Sequence, residues 1–119
     1  MSNAAIDVTV VASPSHLDDE QRLRLSLLRI GLAIGKEDFQ MLESATAAAV
    51  AEFPEDVAVL GYRAITLERA GDLAGALKSV ERAIAILRAF EPDAPEPPKH
   101  LYAIRRRIRS AIAQKDGGQ

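Results

Sequence analysis

Apolar positions recur at helical spacing through most of the chain. They are densest between residues 23 and 34, where Leu23, Leu25, Leu27, Leu28, Ile30, Leu32 and Ile34 leave a helix apolar over much of its circumference. Such a helix needs neighbours on two sides. It is preceded by "SHLD", a capping-box pattern with Ser15 as N-cap and Asp18 three residues on, and Asp19 and Glu20 suit the positive end of a helix. The first helix is thus expected to start between His16 and Asp19, and Gly35 to end it. A second helix is predicted over residues 38–53, where Phe39, Leu42, Ala45, Ala49 and Phe53 keep helical spacing until Pro54 breaks it. A third, over residues 55–70, is entered through the acidic "PED" and closed by Gly71. A fourth takes Asp72 as N-cap, carries Leu73, Ala76, Leu77, Val80, Ala83, Ile84 and Leu87 on one stripe, and ends by Phe90.

The segment "EPDAPEPP", residues 91–98, holds too many prolines to be helical and reads as a stiff, extended loop. A last helix starts at Pro98, where the first helical position tolerates proline, and fades by residue 115. Residues 116–119 read as a flexible end. Residues 1–14 stand apart: Ile6 to Val11 alternate like a strand before Pro14, but one strand makes no sheet, so a flexible or loosely docked tail is expected. The predicted fold class is all-α, with about five helices in antiparallel hairpins over residues 15–115.

The chain also repeats itself. An offset of 34 residues aligns Arg29 with Arg63, Asp38 with Asp72, Phe39 with Leu73, Ala49 with Ala83, Val50 with Ile84, and Phe53 with Leu87. In residues 57–90, Leu60 supplies a large anchor, Gly71 the turn, and Ala76 and Ala83 two small positions around Val80. In residues 23–56, Phe39, Ala49 and Pro54 take corresponding places, while Leu42 and Thr46 depart from the pattern. Ala64 and Arg88 are departures in the second unit. On these residues the chain resembles the tetratricopeptide repeat family, with two repeats and a capping helix over residues 98–115. The resemblance implies a short right-handed α-solenoid. Its small residues serve geometry: alanine lets helix backbones approach to the short end of the usual spacing of roughly 8–10 Å.

Composition narrows the function classes. A net charge of −2 gives no overall reason to expect nucleic acid or an anionic membrane. The absence of cysteine removes thiolate metal sites, cysteine nucleophiles and disulfides. No apolar run approaches the roughly 18 residues of a membrane span, and the first residues lack the positive start of a secretory signal, so a cytoplasmic protein is expected. Frequent Ala and Arg hint at a bacterial genome. His16 and His100 are isolated. The pairs Asp18/Asp19 and Glu55/Asp56 sit at predicted helix starts, where the helix dipole explains them. No phosphate-binding glycine loop is present. Neither an enzyme nor a cofactor or metal site is expected. Arg105, Arg106, Arg107 and Arg109 make the strongest local charge, but helical rotation spreads them around the axis, and Ile104, Ile108 and Ala111 are expected to pack inward. That predicts a solvated cap face rather than a nucleic-acid site.

In tetratricopeptide proteins, ligands lie in a concave groove lined by the first helix of each repeat. The resemblance carries those positions onto Arg24, Leu27, Gly31 and Ile34 in the first repeat, and onto Ala58, Gly61, Ile65 and Glu68 in the second. Leu27, Gly31, Gly61 and Ile65 stand where one subtype of the family keeps a polar carboxylate clamp. The groove is instead small and apolar, which implies a protein-interaction module, an adaptor or chaperone-like scaffold, that binds an apolar or amphipathic segment. The alternative is that the last helix, or residues 6–11, fills the groove within the chain. Two repeats are fewer than the roughly three of a self-sufficient stack, and the first helix is apolar nearly all round, so a homodimer is also expected.

Overall fold

The computed structural model describes residues 17–93 and 99–117, and over these the protein is five α-helices with no strand. They are α1 (Asp19–Gly35), α2 (Phe39–Glu52), α3 (Val57–Ala70), α4 (Leu73–Phe90) and α5 (Lys99–Gly117). Ile6 to Val11, Ser15, His16 and most of the proline-rich stretch lie outside the described residues.

Four helices start the same way. The carboxylates of Asp18, Asp38, Asp56 and Asp72 accept the amides of Gln21, Met41, Val59 and Gly75 at 2.8, 3.0, 2.9 and 2.9 Å. Each satisfies an amide that the helix itself leaves unpaired, and contributes about 1 kcal/mol. The cap of α1 is therefore Asp18, not Ser15. Gln21 supplies the reason: its side chain accepts the Asp18 amide at 3.0 Å, completing a box three residues later than the one the sequence pattern suggested. The starts of α2 and α3 shift inward likewise, because Asp38 and Asp56 act as caps.

Helix ends set the turns. Gly71 adopts φ +89°, and its amide and that of Asp72 bond back to the carbonyls of Glu68 and Leu67, so the chain reverses within two residues. At the end of α1, Gly35 is still helical, and Glu37 takes the left-handed conformation with φ +54°. The amide of Asp38 then bonds to the Ala33 carbonyl at 3.0 Å, which delivers Asp38 to its capping position.

Packing follows chain order, each helix resting on the next. One core lies among α1, α2 and α3 and consists of Ile30, Ala33, Leu42, Ala49 and Val59. A larger one joins α3, α4 and α5 through Leu60, Ala64, Ala76, Val80, Ala83, Ile84, Leu101, Ile104 and Ile108. The neighbours Val59 and Leu60 belong to different cores, so α3 is the central element shared by both. Ala64, Ala76 and Ala83 are fully buried. Their small side chains bring α3 and α4 close enough for the Ser79 hydroxyl to donate to the Leu60 carbonyl at 2.9 Å.

Candidate functional site

The eight residues assigned to a groove fall into two different environments. On α3, Gly61 is buried, Ile65 packs against the larger core, Glu68 is largely enclosed, and Ala58 is exposed. Their cover is α5. A Cβ added at Gly61 would lie 3.4 Å from a Leu101 methyl group, an ordinary van der Waals contact. Farther along α3, the Glu68 carboxylate accepts Nε and Nη2 of Arg107 at 2.6 Å each, a two-pronged ion pair. Hydrogen bonding to Glu68 raises the Arg107 pKa above its ordinary value; burial opposes this and the Glu68 charge adds to it. The guanidinium stays charged at every ordinary pH.

On α1 the corresponding residues meet little. Gly31 is exposed and a Cβ there would touch nothing within 4 Å, while Ile34 keeps 48% of its surface in solvent. Arg24 is exposed and paired with Glu20 at 2.7 Å, one turn earlier. Leu27 alone leans inward onto the smaller core. A cavity of about 180 Å³ gathers Ala58, Gly61 and Ile65 with Tyr62, His100 and Ile104. It includes none of the α1 positions. The structure thus brings together three of the four α3 residues under α5, and leaves those of α1 on a separate, open surface.

The arginine cluster is divided between partners. Arg107 grips Glu68, Arg109 reaches Glu81 at 2.9 Å, Arg105 stacks on Tyr102 with its guanidinium carbon 4.7 Å from the ring centre, and Arg106 is exposed. Ile104 and Ile108 face the core and Ala111 is half-buried, the inward set that the spacing predicted. Asp18 and Asp56 are occupied as helix caps, Asp19 pairs with Arg22, and Glu55 with Arg82. His100 is exposed, and among the described residues no group of three or more His, Asp or Glu could hold a metal ion. None of the described helices is long and apolar enough to cross a membrane.

Arg63 was not singled out by the sequence pattern as a functional group. From α3, its Nη1 donates to the Glu43 carbonyl at 3.2 Å and to the Thr46 hydroxyl at 3.1 Å, and lies 3.1 Å from the Glu43 carboxylate. Thr46, which departs from the repeat pattern, is thereby explained: its buried hydroxyl receives the arginine and also donates to the Leu42 carbonyl at 2.9 Å. The alignment of Arg29 with Arg63 was the available signal. No protein-family model, no curated protein and no solved structure matches this chain.

Proposed function

We propose that this protein is a small interaction scaffold of tetratricopeptide-like architecture, which holds an apolar or amphipathic segment of another protein against the open side of α1. One observation carries the reading. The same type of surface, repeated on α3, is occupied within the chain by an amphipathic helix: Gly61 admits Leu101, and Glu68 grips Arg107. The aligned face of α1, built from Leu27, Gly31 and Ile34, is small and apolar, with Ile34 in the place of Glu68, and lacks such an occupant among the described residues. Placing hydrocarbon there contributes roughly 25 cal/mol per Å² of apolar surface removed from water.

The repeat reading itself draws support from structure as well as alignment. Asp38 and Asp72, aligned by the 34-residue offset, cap α2 and α4. Ala49 and Ala83, also aligned, are both buried where a second helix meets its neighbours. A second reading, self-association, rests on the exposure of Leu28 and Leu32, which are 59% and 48% exposed on α1.

A peptide-display selection tests the scaffold. The wild-type chain is the bait, and Gly31→Leu, which fills the open space without touching a neighbour, is the counter-bait. Enrichment of apolar or amphipathic sequences that the variant fails to hold is the expected result. No enrichment, or enrichment of highly charged sequences released by moderate salt, would point to a different surface. Gly61→Leu is a poorer tool, because Gly61 is already in contact with Leu101 of α5 and a change there acts on the chain's own packing.

A further inference from the structure

We infer that a second face of α1, formed by Leu25, Leu28, Arg29 and Leu32, is a helix-docking site that accepts an amphipathic α-helix with small apolar residues and an acidic edge. The argument starts from α3. Val59, Arg63 and Thr66, spaced i, i+4 and i+7, form one stripe of that helix. Val59 and Thr66 are fully buried, Val59 in the core shared with α1 and α2, and Arg63 bonds to Glu43 and Thr46 of α2. Through Val59 and Arg63 of this stripe, α3 seats itself on the helix before it.

The 34-residue offset places Leu25, Arg29 and Leu32 at the same positions of α1. One hydrophobic residue and an arginine are thus repeated, with Leu32 in the place of Thr66 and Leu28 beside them in the place of Tyr62. Here no described helix precedes α1. Leu28 and Leu32 are exposed, Leu25 is half-buried, and Arg29 is exposed with no hydrogen bond or ion pair among the described residues. The face has the apolar contacts and the arginine of a helix seat, in the register that already works once in this molecule. It lies around the helix from Leu27 and Ile34, so a segment in the groove and a helix on this seat use different surfaces.

Charge selects the occupant. Arg22, Arg29 and Lys36 follow one another at intervals of seven residues along one edge of the seat. Arg22 is satisfied by Asp19 and Glu52; Arg29 and Lys36 carry no ion pair among the described residues. Antiparallel pairing of α1 with α1 of a second copy about a two-fold axis would set these basic edges against each other, a repulsive arrangement. A helix with a carboxylate on the facing edge gives Arg29 what Glu43 gives Arg63. Alanine or threonine near it, as in α2, permits close approach.

The probe is a hydrocarbon-stapled, fluorescein-labelled peptide with the sequence of residues 38–53, which contains the helix that α3 accepts. Anisotropy titration with the full chain is expected to show saturable binding. Leu32→Glu and Arg29→Ala, both at exposed positions, should each weaken it by at least about tenfold, and replacing the peptide's glutamate at position 43 with glutamine should weaken it severalfold. Far-ultraviolet circular dichroism of both variants should match the wild type. Absence of binding to the wild type, or binding indifferent to Leu32→Glu, would overturn the assignment. So would a wild-type dimer that Leu32→Glu converts to monomer, since the occupant would then be a second copy. Binding that appears only in a chain beginning at Leu17 would assign the seat to the protein's own leading residues.

Discussion

Helices α1 and α3 occupy aligned places in a repeating sequence, yet one is enclosed and the other is open on two sides. Around α3, Val59 and Arg63 engage α2, Leu60 and Ala64 engage α4, and Gly61 and Glu68 engage α5. Around α1, Ile30 and Ala33 pack on α2, while Gly31, Leu28 and Leu32 face outward. The difference lies less in composition than in neighbours. At the aligned arginines, Arg29 and Arg63, the side chain is the same, and its energetic role depends on whether a helix stands opposite.

That contrast orders the expected effects of substitution. The largest belongs to the enclosed side: Ala83→Leu forces extra atoms into a fully buried site between α3, α4 and α5, and should cost about 1–3 kcal/mol in urea denaturation. Unchanged stability would mean that α4 does not rest on alanine at this crossing. Next comes the aligned arginine pair. Arg63→Ala removes the donor that serves the buried Thr46 hydroxyl and the Glu43 carbonyl, and should cost about 1–3 kcal/mol. Arg29→Ala should stay within about 0.5 kcal/mol, as for surface positions generally. Equal losses at the two sites would erase the distinction between a filled and an empty seat.

Smaller effects follow. Asp72→Ala removes the cap of α4 and should cost about 1 kcal/mol by the same assay. Asp38→Ala, at the aligned cap of α2, should match it closely, because both carboxylates accept the same kind of amide. Glu68→Gln loosens α5 without opening the core. The loss should be at most about 1 kcal/mol, since the Arg107 side chain is 56% exposed and solvent screens the pair. Amide exchange would show it as faster exchange in α5 with α1 unaltered.

Much of this architecture was legible in residue order. Helical spacing, the aspartates at positions 38 and 72, and Gly71 located the second to fourth helices to within a few residues, because caps and glycine turns act locally. The first helix starts at Asp19, within the expected range, but its cap was misassigned to Ser15 because "SHLD" and Asp18–Gln21 both satisfy a capping pattern, and only the second has a glutamine able to return the bond. The eight positions expected to form one groove fall on two separate surfaces. Which half stays open was not legible, since that depends on the contact between Gly61 and Leu101, forty residues apart in sequence. Arg63 was harder still. An arginine at an aligned position reads as surface charge until Thr46 and Glu43 are seen beneath it.

The chain contains no cysteine, so single thiols can be placed at Leu32 and Thr66, two aligned positions on the equivalent stripes of α1 and α3. Leu32 is 48% exposed and Thr66 is fully buried. Labelling rates of Leu32→Cys and Thr66→Cys with a neutral thiol reagent under native conditions therefore compare the open seat with the filled one. The account predicts that Leu32→Cys reacts at nearly the rate of the unfolded chain, while Thr66→Cys is slowed by at least about a hundredfold, set by the free energy of opening α3. Comparable protection at both sites would contradict it, because the face of α1 would then already be covered in the isolated protein.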